Sequence, residues 1–281
     1  MSEHGGAFFV PKISHRGNNI LLKKLVLSMF GRKGSYGFYW KLYNLSLYGM
    51  NIGLGGDVAS SGENNVLSFV REKSSGRPLV IFDVGANKGQ YSTNLLKFFG
   101  NVKTELHCFE PGHKTFKILT SALEGKENVT LNNFGLSDEK SESLLYYDKA
   151  GSELASLYKR QLDYFGIDFE QSETVTLDTL DNYIVAKNIA FVDLLKIDVE
   201  GNELRVLQGA SRSLSEGKIG AIQIEFGGCN IDSRTFVRDF WNLLSKDFRM
   251  YRIMRNGLAE ITKYDERIEI FTCTNFCFIK R

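Results

Sequence analysis

From residue 79 onward the chain alternates between short apolar runs and amphipathic stretches of helical length. Residues 79–84 follow Pro78 as a nearly continuous apolar run, which predicts a strand buried on both faces. Residues 90–99 read as a helix with Leu95, Leu96, Phe98 and Phe99 turned inward. Residues 104–109 predict a second strand that ends at Glu110-Pro111, and residues 113–123 a second helix. A third strand is expected at 129–134 and an added or extended one at 144–147. After an apparent insertion at 148–173, the pattern resumes. Strands are expected at 174–177, 192–197 and 219–225, with helices at 180–187 and from 203. A helix over 233–245, capped by Asp232 or Ser233, precedes final strands at 249–253 and 275–279.

This alternation predicts an α/β fold built on a mostly parallel sheet covered on both faces. Right-handed crossovers place the loops after successive strands at one edge, where ligands bind. Residues 1–75 are expected as a helical or irregular extension, and 76–281 as the domain proper. Within the extension, residues 49–62 carry five glycines and predict a loop or hinge. The apolar run 20–30 is broken by Lys23 and Lys24 and is too short to span a bilayer, so an amphipathic helix is expected there.

Charge changes the picture little. Thirty-five Lys and Arg against 33 Asp and Glu give a net charge of +2, which argues against a general nucleic-acid binder. Residues 1–50 are locally basic, with Glu3 as their one acidic residue. That arm suits a solvated helix face first and peripheral contact with an anionic membrane second. The four cysteines form no CxxC pair and no zinc cluster. Reduced thiols and a cytoplasmic setting are expected.

Chemistry concentrates where strands end. The turn Asp83-Val84-Gly85-Ala86-Asn87-Lys88-Gly89 has glycines that permit tight turning and close approach of a ligand. Glu110, at the end of the next strand, is placed to accept the hydrogen bonds of a ribose diol. The spacing is GxxxG rather than the GxGxxG of dinucleotide sites, and the carboxylate of Asp83 would repel a pyrophosphate. An acidic turn suits the cationic S-adenosylmethionine better than NAD. In the loop Gly135-Leu136-Ser137-Asp138, Leu136 would pack on the adenine, and Ser137 or Asp138 would bond its amine. A plain surface turn is the competing reading for Asp138.

The run Leu194-Leu195-Lys196-Ile197-Asp198-Val199-Glu200-Gly201 breaks a buried strand with a lysine. Alternation puts Lys196, Asp198 and Glu200 on one side. A buried Lys needs a partner, and Asp198 is the nearest. Glu225 ends the following strand and is expected to converge with Asp198 and Glu200. Such a cluster could supply a general base or hold a divalent metal through Asp198, Glu200 and Glu225.

Taken together, these segments resemble the FkbM-like family of S-adenosylmethionine-dependent methyltransferases over residues 78–230. The specific element is Lys196-Ile197-Asp198-Val199-Glu200-Gly201. The resemblance implies a doubly wound, Rossmann-like sheet of seven strands, the last antiparallel. It implies methyl transfer to a hydroxyl of a sugar, glycan or secondary metabolite. Asp83, Gly85 and Asn87 would then surround the methionine part and Glu110 the ribose, with Gly89 also a cofactor-binding residue. Asp198, Glu200 and Glu225 would face the acceptor, with Asp198 first as base and Lys196 as electrostatic partner. The alternatives are a nicotinamide-dependent oxidoreductase, a nucleic-acid methyltransferase, for which no supporting motif is found, and a non-catalytic scaffold of the same fold.

Overall fold

The computed structural model describes Ser28 and residues 30–54, 61–73 and 76–281. The helix expected at 20–30 therefore falls outside the described residues, apart from Ser28 and Phe30. The chain divides into two compact units, Met1–Leu47 and Tyr48–Arg281. Helix α1 (Tyr36–Gly49) begins in the first and carries exposed Tyr36, Phe38, Trp40 and Leu45. Tyr36 stacks on Trp40 one turn later, with ring centroids 6.3 Å apart. Among the described residues no helix is long and apolar enough to cross a membrane.

The second unit begins well before residue 76. It includes α2 (Asn64–Glu72), whose Val66, Leu67 and Val70 are buried. Then follow β1 (Leu79–Val84), α3 (Gln90–Phe99), β2 (Thr104–Phe109), α4 (His113–Ala122) and β3 (Val129–Asn132). Next come β4 (Gly135–Leu136), β5 (Ser141–Tyr147), β6 (Gln171–Asp178), α5 (Leu180–Ala186) and β7 (Val192–Ile197). Helices α6 (Glu203–Gln208) and α7 (Ser211–Ser215) lead to β8 (Ile219–Phe226). The chain closes with α8 (Cys229–Ser233), α9 (Val237–Leu244), β9 (Phe248–Met254), β10 (Gly257–Ile261) and β11 (Thr274–Lys280).

The main sheet runs β10-β9-β11-β8-β7-β1-β2-β3. Strands β3, β2, β1, β7 and β8 are parallel, and β11 inserts antiparallel between β8 and β9. Seven of these strands reproduce the expected doubly wound sheet. The eighth, β10, pairs as a hairpin with β9 across Met254 and Gly257, and no apolar run announces it. Its burial is slight, so its sequence carries little hydrophobic pattern.

One face of the sheet buries Ile81, Leu106, Leu194 and Cys277 against Val66, Leu67, Tyr91 and Leu95 of α2 and α3. The other buries Phe82, Phe109, Leu195 and Ile222 against Tyr183, Val206 and Phe240. Covering on both faces is why β1 and β7 read as near-continuous apolar runs.

Two expectations change. The strand at 144–147 is longer and leaves the main sheet, because β5 pairs antiparallel with β6 in a separate three-stranded sheet ordered β4-β6-β5. The helix expected from 233 starts at Val237. Arg234 turns left-handed (φ 56°) after α8, and the N–H of Phe236 is accepted by Asp239 at 2.9 Å. Asp232 and Ser233 belong to α8 and do not cap α9.

Candidate active site at the strand ends

The chain leaves β1 through Gly85 (φ 80°), Asn87 (φ 49°) and Gly89 (φ 84°). A side chain on Gly85 would collide with the carbonyl oxygen of Asp198, so glycine lets the ends of β1 and β7 close together. Gly89 serves a different contact. A Cβ there would meet Leu119 Cδ1 at 2.9 Å, which makes it a helix-packing residue of α3 and α4. The N–H groups of Gly85 and Ala86 both donate to Phe109 O at 3.0 Å.

Above this turn lies a cavity of about 250 Å³. Gly85, Asn87, Glu110 and Leu136 line one part of it, and Lys196, Asp198, Glu200 and Glu225 another. Leu145, Ala155, Leu157 and Leu177, from the small sheet and the segment after it, add apolar wall. Two groups of residues widely separated in sequence thus share one opening at the carboxyl edge of the sheet.

Glu110 is tied to that turn. Its Oε2 accepts from Asn87 N at 3.0 Å and its Oε1 from Gly112 N at 2.8 Å. Burial pushes its pKa up to about 7, against these two backbone donors. Each oxygen retains a further lone pair for a ligand hydroxyl.

Asp83 is placed differently from the expectation. It is fully buried beneath the cavity and does not line it. Its Oδ2 accepts from Ser92 Oγ at 2.6 Å, and its Oδ1 lies 3.4 Å from Lys196 Nζ. The strand register explains the arrangement. Asp83, Lys196, Gln223 and Cys277 stand in one row across β1, β7, β8 and β11. Lys196 Nζ also lies 3.2 Å from Asp198 Oδ2 and 4.7 Å from the centre of the Tyr91 ring. Burial alone would lower the Lys196 pKa, but Asp198, Asp83 and Glu63 hold it well above its ordinary value. The ammonium is thus a fixed positive charge in the site floor.

Residues 83–253 match the family model described as the methyltransferase FkbM domain. The chain belongs to the FkbM methyltransferase family. The hexuronic acid methyltransferase AglP of Haloferax volcanii is 23% identical over 167 residues, which cover 59% of this chain and 64% of that protein. A crystal structure of an FkbM methyltransferase from Methylobacillus flagellatus KT is 17% identical, covering 79% of this chain and 55% of that one with a TM-score of 0.45. An S-adenosylmethionine-dependent O-methyltransferase from Thermotoga maritima is 14% identical, covering 76% and 64%, with a TM-score of 0.36. The chain therefore spans less than two thirds of the length of each.

The acidic side of the cavity is paired with cations and hydrogen-bond donors. Glu200 takes a left-handed backbone (φ 53°), and its Oε2 accepts from Arg160 Nη1 at 2.7 Å. Ser156 Oγ donates to the Glu200 carbonyl at 2.6 Å. Burial and then Asp198 push the Glu200 pKa up to about 8, with Arg160 opposing. Burial, then Asp198 and Glu200, hold Glu225 well above the usual carboxylate range. Its Oε1 accepts from Cys273 Sγ at 3.2 Å. At neutral pH Glu200 therefore favours the protonated form and Glu225 is shifted in the same direction, while Asp198 faces the lysine.

Asp198, Glu200, Glu225 and Lys196 share the cavity wall with Gly85, Asn87, Glu110 and Leu136. Ser137 and Asp138 lie outside the cavity wall. Asp138 pairs with Arg205 at 3.2 Å, and Ser137 Oγ lies 3.3 Å from Asn202 Nδ2. The geometry gives no support to the alternative that Asp198, Glu200 and Glu225 hold a divalent metal. Among the described residues no group of three His, Cys, Asp or Glu side chains is arranged to hold an ion. Lys196, Arg160 and Cys273 already engage these three carboxylates.

Three residues of the site escaped the sequence reading. Arg160 lies in the insertion, where no periodicity marks it. Tyr91 reads as an ordinary helix aromatic. Glu63 follows a glycine-rich stretch and precedes the FkbM domain, yet it is 6% exposed and lines the cavity. A charged residue just before the apolar positions of α2 was the one available signal.

Proposed function

We propose that this chain is an S-adenosylmethionine-dependent O-methyltransferase acting on a hydroxyl of a sugar or glycan, or of a related metabolite. The observation that carries the reading is the single cavity shared by the Gly85 turn, Glu110 and the Asp198 cluster, within a domain of this family. Gly85, Asn87, Glu110 and Leu136 would hold the cofactor. Their chemistry fits: Asn87 Oδ1 is buried without a hydrogen-bond partner, and Glu110 has acceptor capacity left. When bound, S-adenosylmethionine supplies an electrophilic methyl group on a positively charged sulfur.

A free alcohol is a weak nucleophile, so a residue must accept its proton as the new bond forms. Asp198 is the choice. It lines the cavity, its carboxylate is 29% exposed, and Lys196 lies beside it. Glu200 and Glu225, held toward the protonated state, would donate hydrogen bonds and orient the acceptor. The hexuronic acid specificity named for the Haloferax volcanii relative supports a sugar acceptor.

Incubation with S-adenosylmethionine and a glycan and metabolite panel, read by mass spectrometry, tests the reading. A gain of one methyl on an acceptor oxygen is expected. Asp198→Asn is expected to slow transfer by about 10²–10⁴ while cofactor binding persists. Wild-type turnover by that variant would remove Asp198 from the base role. Cofactor binding without transfer to any acceptor would favour a scaffold.

A further inference from the structure

Glu63 lies upstream of the matched FkbM domain and stands in the cavity wall with Asn87, Tyr91 and Lys196. Its Oε2 accepts from Ser61 Oγ at 2.8 Å, and its Oε1 accepts from the Gln223 side-chain amide. Both oxygens keep a further lone pair. Two other wall oxygens, Asn87 Oδ1 and Tyr91 Oη, are buried without a hydrogen-bond partner, and Tyr91 as a whole is 5% exposed. Buried acceptors of this kind are costly unless a donor reaches them. Here they border a cavity that a ligand can enter.

The nearby cation does not meet that need. Lys196 Nζ is directed to Asp83 at 3.4 Å and Asp198 at 3.2 Å. Asp83, the carboxylate expected beside the methionine part of the cofactor, is buried and does not line the cavity. We propose that Glu63, with Asn87 and Tyr91, forms the subsite for the ammonium group of the cofactor's amino-acid portion. This rests on the S-adenosylmethionine reading above. The carboxylate supplies the opposite charge, and the amide and phenol oxygens supply two more acceptors. An ammonium brings three donors to match these three groups. Recognition of the amino acid then depends on a segment upstream of residues 83–253, the part that matches the family model.

Calorimetric titration with S-adenosylhomocysteine, its deaminated analogue and methylthioadenosine tests this. The wild-type chain should prefer S-adenosylhomocysteine to the deaminated analogue by roughly 10–100-fold. In Glu63→Gln that preference should collapse, with methylthioadenosine binding unchanged. Equal wild-type affinity for the amine and its deaminated analogue overturns the subsite, as does full preference in Glu63→Gln. If the variant also loses methylthioadenosine, Tyr91→Phe decides. A loss confined to S-adenosylhomocysteine supports the subsite, and an unchanged preference overturns it. Failure of the wild-type chain to bind any of the three would instead sink the cofactor reading itself.

Discussion

Lys196 shows how one side chain can serve both fold and site. Its ammonium is placed between buried Asp83 and cavity-lining Asp198, over the Tyr91 ring. Removing it would leave the carboxylate of Asp83 inside the sheet with Ser92 as its remaining donor. Lys196→Met is expected to cost about 3–5 kcal/mol of stability, the usual penalty for breaking a buried pair. Urea unfolding measures this, and a loss below about 1 kcal/mol would mean the site relaxes around the vacancy. The lysine was conspicuous in the sequence because a charge interrupts an apolar strand. Its two partners could not both be named, since Asp83 reaches it across the β1–β7 register rather than along the chain. Glu63 was illegible for the same reason: 133 residues separate it from Lys196 in sequence, and nothing local ties them.

At the scale of elements, regular alternation made β1, α3, β2, β7 and β8 legible, because each has a complete apolar face or run to bury. The small sheet was harder. It is covered by a modest cluster around Leu145, Val175 and Leu177, so its strands carry a weak pattern. The segment after β5 packs Ala155 and Leu157 on that cluster and is otherwise fastened by single polar contacts. Ser156 bridges Tyr146 and also bonds the Glu200 carbonyl, and Arg160 holds the Glu200 carboxylate. Arg160→Met should therefore loosen residues 156–162 without unfolding the sheet. Amide exchange there is expected to rise about 10–100-fold, while the protection of β7 and β8 stays unchanged. Uniform loss of protection in both regions would show the segment to be part of the global core.

For the whole molecule, carboxylates raised by burial set a direction for stability against pH. Glu110 and Glu203 are pushed up to about 7 and Glu200 to about 8, each chiefly by burial. Folded chains hold these protons at pH values where unfolded chains, titrating near 4.5, have released them. Their contribution is complete below that value and is lost as pH rises through 7 and 8. His107, lowered by burial, acts in the opposite sense, losing its contribution as pH falls below its ordinary 6.5. With these three carboxylates, and Glu63 and Glu225 shifted in the same direction, against one imidazole, melting temperature should fall between about pH 6 and about pH 8.5. A flat or rising melting curve over that span would contradict the protonated cluster.

The position of Glu63 carries one more consequence, for anyone who shortens this chain. A fragment beginning where strand and helix start to alternate would keep every recognisable motif. It would also discard the helix that packs against Leu79 and Ile81, and with it Glu63 of the chamber wall. Such a fragment could score as a complete domain and still be a vessel with a missing pane.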